Sequence, residues 1–342
     1  MALNEAGPVV EAPGLPLPWL RARFDELTRL MDAGRLPHAL LISGPRGVGK
    51  RSLADALIAR VLCAAPGEAA CGHCHGCRML ASGYHPDLLR VEPEQGKRQI
   101  RIDPIREVNA FVAQTAQQGG YRVILIAPAE TMNVAAANAL LKSLEEPGGR
   151  TLFVLLADIP SRMLPTIRSR CQHWSLAPPP PEACLPWLTE RLGGEDEARF
   201  WWRVAGGLPL AALDRAEPES RALRQQLVET FEALVRGAEP VAEAARLERQ
   251  STEAILWYGI AWLEDLIRLG LSGESPERAP SLRNPDLLPL YRQAVKNARV
   301  RDWFRLLDYA REQRRLLASG GNPNPQLVLE AWLVRWSALL RS

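Results

Sequence analysis

The sequence predicts an α/β domain built on a parallel sheet, followed by an all-α remainder. Three observations carry this. Apolar strand-like runs alternate with amphipathic helical patterns up to about residue 177. A phosphate-loop signature follows the first of those runs. Beyond the proline run Ala177-Pro178-Pro179-Pro180-Pro181 only helical patterns continue.

Residues 1–18 read as a loosely held extension, because Gly and Pro interrupt them toward their end. Leu20, Phe24, Leu27 and Met31 recur at helical spacing and predict an amphipathic helix. The apolar run 39–43 is a strand feeding the phosphate loop, and 50–63 is the helix leaving it. A cysteine-rich insertion comes next, then a short strand at 88–91. Asp103 and Pro104 mark a helix start, and Ile105, Val108 and Val112 fall on its core side. A strand over 121–127, a helix over about 133–146 stopped by Pro147-Gly148-Gly149, and a strand over 151–157 complete the alternation. Continuous apolar strands between helices argue for a parallel sheet covered on both faces. The run 177–181 is expected to be neither helix nor inner strand, and to act as a semi-rigid hinge. Gly206-Gly207-Leu208-Pro209 interrupts a small helical unit, and long helical patterns run from about residue 219 to the end.

The phosphate loop reads Gly44-Pro45-Arg46-Gly47-Val48-Gly49-Lys50-Arg51, matching G-x-x-x-x-G-K-[ST] except at its last place. That place normally supplies a hydroxyl to Mg²⁺, and here it holds Arg51. Ser52 is no substitute, since one further helical residue turns the side chain by about 100°. The acid expected after a later strand is also missing: the 121–127 strand runs into Ala127-Pro128. Asp158, where a γ-phosphate-sensing Thr or Asn is expected, does not fit that role either. No intrinsic ATPase activity is expected. Gly44, Gly47, Gly49 and Lys50 keep the means of weak phosphate binding, or the loop survives only as a turn packing helix on strand.

Of six cysteines, four are grouped as Cys63, Cys71, Cys74 and Cys77. Overlapping C-x2-C pairs on a Gly-containing turn predict a closed four-thiolate site for structural zinc. The bland alternative is a cluster of free thiols. His73 and His75 read as exposed loop residues, and Cys171 and Cys184 as buried small apolar groups.

Composition narrows the rest. A chain of 342 residues with 47% apolar content supports about two or three folded domains. A net charge of +3 excludes a strongly basic nucleic-acid glove. The stretch 95–101 and the group Arg311, Arg314 and Arg315 are local basic faces, read as solvated rather than DNA-binding. Trp257, Trp262, Trp303, Trp332 and Trp336 lie on apolar helix patterns and are expected in a core or a subunit interface. With no secretory start and no long apolar span, a cytoplasmic protein is expected.

Arg35-Leu36-Pro37-His38-Ala39, the four-cysteine insertion, His85-Pro86-Asp87, the run Asn138-Ala139-Leu140-Leu141-Lys142-Ser143-Leu144-Glu145-Glu146-Pro147, and Ser169-Arg170-Cys171 occur in that order. In motif and spacing the first 180 residues resemble bacterial clamp-loader subunits of the AAA+ class. The resemblance implies an AAA+ P-loop domain at 1–177 carrying a zinc module at 63–77. A helical lid at 178–218 and a helical collar for oligomerisation at 219–342 would follow it. It further implies that Arg170, with Ser169, reaches the ATP of a neighbouring subunit; read without it, Arg170 is a surface residue at a strand entrance. The implied partners are gamma or tau and delta subunits, with the sliding clamp and primed DNA met through the complex and no membrane involved. The whole would belong to a replicative DNA polymerase assembly. The competing expectation is a divergent ATP-hydrolysing motor of the gamma/tau type, which Arg51, Ala127 and Pro128 all disfavour.

Overall fold

A computed structural model describes residues 14–118, 120–272, 281–296, 298–318 and 323–341. Of the expected N-terminal extension, residues 1–13 lie outside the described residues; 14–17 are irregular and lead into the turn Pro18–Leu20. The chain divides into two compact units, one reaching Trp187 and including Leu208–Leu210, the other holding 188–207 and 211–342.

In the first unit, β1 (Ala39–Ser43), β2 (Leu88–Val91), β3 (Arg122–Ile126), β4 (Thr151–Ala157) and β5 (Gln172–Ser175) form one parallel sheet, ordered β2-β3-β4-β1-β5. Every residue of β1, β3 and β4 is buried. This is why those segments are apolar along all but one end residue instead of alternating: both sheet faces are covered. Register sets Leu41 opposite Leu155 and Ile124 opposite Phe153. The helices are α1 (Arg21–Asp32), α2 (Lys50–Leu62), α3 (His75–Ala81), α4 (Ile102–Val112), α5 (Val134–Glu145) and α6 (Pro165–Arg168). On one face Ile105, Val108 and Val112 of α4 and Ala136, Leu140 and Leu144 of α5 pack onto the strands. Each such large aliphatic side chain contributes about 1.5–3 kcal/mol by leaving water. Asn133 caps α5 by accepting from the Ala136 N–H at 2.8 Å.

Three sequence expectations need correction. The strand expected at 121–127 is shorter, Arg122–Ile126. The 177–181 run is not wholly outside helix: Pro181 opens α7 (Pro181–Leu192), where its missing N–H costs nothing. The cysteine turn contains a short helix, α3, which periodicity could not reveal over seven residues.

In the second unit α8 (Glu195–Val204), α9 (Pro209–Ala216), α10 (Pro218–Val235), α11 (Pro240–Arg246), α12 (Thr252–Ser272), α13 (Leu288–Ala294), α14 (Val300–Ala318) and α15 (Pro325–Leu340) follow, although Pro209 and Leu210 group with the first unit. Trp336 centres its core, edge-on to Phe231 at 5.3 Å and to Trp332 at 4.9 Å. Trp262, Trp303, Trp332 and Trp336 are buried, as core tryptophans should be. Asp265 is fully buried and accepts from the Arg283 and Asn284 N–H groups, each at 2.9 Å, which fastens the loop before α13 onto α12. Gly259 lets Trp332 approach the α12 backbone: a Cβ there would lie 2.2 Å from the indole ring. Gly259→Ala therefore forces Trp332 to move, and we expect a loss of about 1–3 kcal/mol in urea denaturation. An unchanged midpoint would contradict this packing.

Candidate functional site

The carboxyl end of β1 opens directly into the phosphate loop, the end of a parallel sheet where ligands bind. Gly44, Gly47 and Gly49 adopt positive φ of 153°, 92° and 103°, which shapes the loop before α2. Lys50 is nevertheless fully engaged inside the chain. Its Nζ donates to the carbonyls of Gly44 at 2.8 Å and Pro45 at 3.2 Å, and pairs with Asp158 Oδ1 at 2.5 Å. Only 9% of Lys50 is exposed, so an unpaired ammonium there would be costly. Asp158, just past β4, is in turn held from behind. Glu130 Oε1 accepts from the Asp158 N–H at 2.8 Å and the Ile159 N–H at 3.1 Å.

The neighbouring positions are committed in the same way. Arg51 pairs with Glu92 at 2.6 Å and Asp55 at 3.4 Å. Ser52 Oγ accepts from the Leu17 N–H at 3.0 Å. The segment before α1 lies against the loop: Trp19 Nε1 donates to Val48 O at 2.8 Å, and a Cβ on Gly49 would come within 3.0 Å of Leu17 and Leu20 side chains. Trp19 also meets Trp187 edge-on at 5.0 Å.

The four cysteines come together. Their Sγ atoms all lie within 4.8 Å of one another, with Cys63–Cys74 and Cys71–Cys77 at 3.9 Å. A tetrahedron with metal–sulfur bonds of about 2.3 Å has edges of roughly 3.8 Å, so this donor set can hold a metal ion. Backbone N–H groups of Cys71, Cys74 and Cys77 donate to Cys63, Cys71 and Cys74 Sγ at 3.3–3.4 Å, as thiolates require. The Cys77 N–H draws the Cys74 thiol down to about 6, whereas burial pushes Cys77 up to about 12. A cation at the centre would remove that conflict. Gly76 is small because α3 abuts α2: a Cβ would stand 2.6 Å from Leu62 O and 3.4 Å from His85 Nε2. His73 and His75 are exposed. Cys171 and Cys184 are buried, and burial lifts Cys171 to about 12. His85 is buried and held below its ordinary range by desolvation, and Asp87 accepts from the Gln117 and Gln118 N–H groups at 2.7 and 2.9 Å.

Arg170 follows α6 and precedes β5, between buried Ile167 and Cys171. Its Nε donates to Glu145 Oε1 at 2.7 Å, its Nη2 contacts the same oxygen, and its Nη1 donates to Thr166 O at 2.9 Å. Ser169 Oγ donates to Thr166 O at 3.2 Å and so serves the turn. Phosphate loop, cysteine cluster and Arg170 are three separate places. In the basic stretches Lys97 pairs with Glu94, Arg311 with Glu264 at 2.9 Å and Arg315 with Glu312 at 2.8 Å.

Profiles described as "DNA polymerase III, delta subunit" and "DNA polymerase III, delta subunit, C terminal" match residues 20–180 and 218–338. The delta-prime subunit of DNA polymerase III from Pseudomonas aeruginosa is 37% identical over 330 residues, covering 94% of this chain and 97% of that protein. The chain belongs to the DNA polymerase III delta-prime family. The Escherichia coli delta-prime subunit is 36% identical over 253 residues, 73% of this chain and 76% of that protein. A gamma/tau subunit from Mycobacterium bovis is 38% identical, but over only 55% of this chain and 34% of that protein.

Within this delta-prime family member, sequence reasoning missed Asp158 and Glu130 as the groups that satisfy Lys50 and its loop. It also missed Glu145 as the partner of Arg170. No local pattern signals contacts separated by 108 or 25 residues. If Lys50 and Asp158 form one unit, Lys50→Met and Asp158→Ala should each cost about 1–3 kcal/mol in urea denaturation. The double variant should lose distinctly less than their sum. Strict additivity would contradict the coupling.

Proposed function

We propose that this chain is the non-hydrolysing subunit of the DNA polymerase III clamp loader, supporting ATP-dependent loading of the sliding clamp onto primed DNA in the cytoplasm. The observation that carries this reading is the internally neutralised phosphate loop. Lys50 already holds a carboxylate where a phosphate would need it, Arg51 stands in place of the Mg²⁺ hydroxyl, and Ala127-Pro128 ends β3 without an acid. A chain built this way does not turn over ATP itself.

Its contribution is instead made across a subunit boundary. Arg170, planar and permanently charged, donates to the γ-phosphate of ATP bound by a neighbouring gamma or tau subunit, with delta as a further partner. Residues 1–177 act as the P-loop domain, 178–218 as the lid and 219–342 as the collar, whose tryptophan core gives it rigidity. Zinc, held by Cys63, Cys71, Cys74 and Cys77, closes the insertion between α2 and β2. Four thiolate ligands leave no position for a reacting water, so the metal's part is structural.

Two measurements check this reading. In a complex reconstituted with gamma and delta, Arg170→Ala should lower DNA-stimulated ATP hydrolysis by at least about tenfold with assembly intact. Unchanged turnover would remove the trans role. Metal analysis should find about one Zn²⁺ per chain, lost when Cys74 and Cys77 are both changed to Ser, with a lowered melting temperature. A metal-free native chain of full stability would contradict the zinc assignment.

A further inference from the structure

We propose that Glu145 is the positioning residue for Arg170, orienting the guanidinium so that its outer edge is left for a phosphate. The proposal rests on the trans role of Arg170 proposed above and adds the group that makes that role geometrically possible.

A guanidinium has five N–H donors in a rigid plane, grouped along two edges and one inner position. In this chain Glu145 occupies the edge made by Nε and Nη2, and the Thr166 carbonyl takes one Nη1 donor at 2.9 Å. One Nη2 donor, on the outer edge, and one Nη1 donor are left. Among the described residues Arg170 makes no other hydrogen bond. Two parallel N–H groups are the fork that matches two oxygens of one phosphate.

The backbone that carries this carboxylate is held in place. Glu145 is the last residue of α5, whose other end is capped by Asn133. The preceding residue, Leu144, is buried, and its carbonyl accepts from His38 Nε2 at 3.0 Å. His38 sits immediately before β1, and its carbonyl accepts from the Phe153 N–H of β4 at 2.7 Å. The sheet therefore anchors the turn that carries Glu145. A cation beside the carboxyl end of α5 is also favoured by the helix dipole. On the other side, Ile167 and Cys171 bury the segment that carries Arg170. A long, exposed Arg would otherwise distribute over several rotamers, and only a fraction would present the fork.

The test uses the assembled complex with gamma and delta and reads DNA-stimulated ATP hydrolysis over a range of ATP concentrations. Glu145→Ala should reduce kcat about tenfold while the apparent KM for ATP moves less than about twofold, since orientation and not ground-state binding is lost. Glu145→Gln keeps an acceptor oxygen and should fall between the parent and Glu145→Ala. In an Arg170→Ala background, Glu145→Ala should cause no further loss. If the alanine variant fails to assemble, the glutamine variant still decides, because parental kcat in it would overturn the proposal. A normal kcat in Glu145→Ala alongside a lowered one in Arg170→Ala would overturn the positioning role alone. A raised kcat in Glu145→Ala would overturn it too, by showing that the carboxylate restrains the arginine. Parental kcat in Arg170→Ala would instead defeat the trans role on which the proposal rests.

Discussion

The rest of this structure depends on one ion pair, Lys50 with Asp158 at 2.5 Å. A buried ammonium needs a counter-charge. In an ATP-binding protein of this fold a phosphate supplies it. Here a carboxylate of the same chain does so, and Glu130 fixes the backbone that presents it. The loop keeps its glycine-shaped backbone and its junction between β1 and α2, and Lys50 is held within it by Asp158 and two carbonyls. The ion pair thus ties the loop after β1 to the end of β4.

Two further features hold surface segments of the same unit. Along the sheet's helical cover, α5 runs from its Asn133 cap to Glu145 and so brings a carboxylate to Arg170. At the other end of the same unit, α2 ends at Leu62, and the four cysteines gather α3 against it. Each feature ties a surface segment to the sheet, one through an arginine clamp and one through a cluster of thiols. The second unit obtains its order differently, from aromatic edges meeting around Trp336 and from the fully buried Asp265.

Much of this was legible in the amino-acid sequence, and the reason differs by element. β1 and β4 were read at their true ends because buried parallel strands are uninterrupted apolar runs. β5 was anticipated only as the strand that Arg170 enters and was given no bounds, since three of its four residues are exposed and only Trp174 is buried. α3 is too short for periodicity to register, and its Gly76 reads as a turn. The cysteine cluster was visible because its spacing is local. The partners of Lys50, Arg51 and Arg170 were not, because Asp158, Glu92 and Glu145 reach them only through the crossovers of the sheet. Sequence exposed Arg51 where a Mg²⁺-binding hydroxyl is expected; only three-dimensional placement revealed Asp158 on Lys50.

The most direct measurement is a structure of the assembled complex with gamma and delta, determined with a non-hydrolysable ATP analogue and Mg²⁺. We expect no nucleotide on this chain, with Lys50 still on Asp158, and Arg170 within hydrogen-bonding reach of the analogue's terminal phosphate in a neighbouring subunit. An analogue with coordinated Mg²⁺ in this chain's own loop, with Lys50 turned away from Asp158, would contradict it.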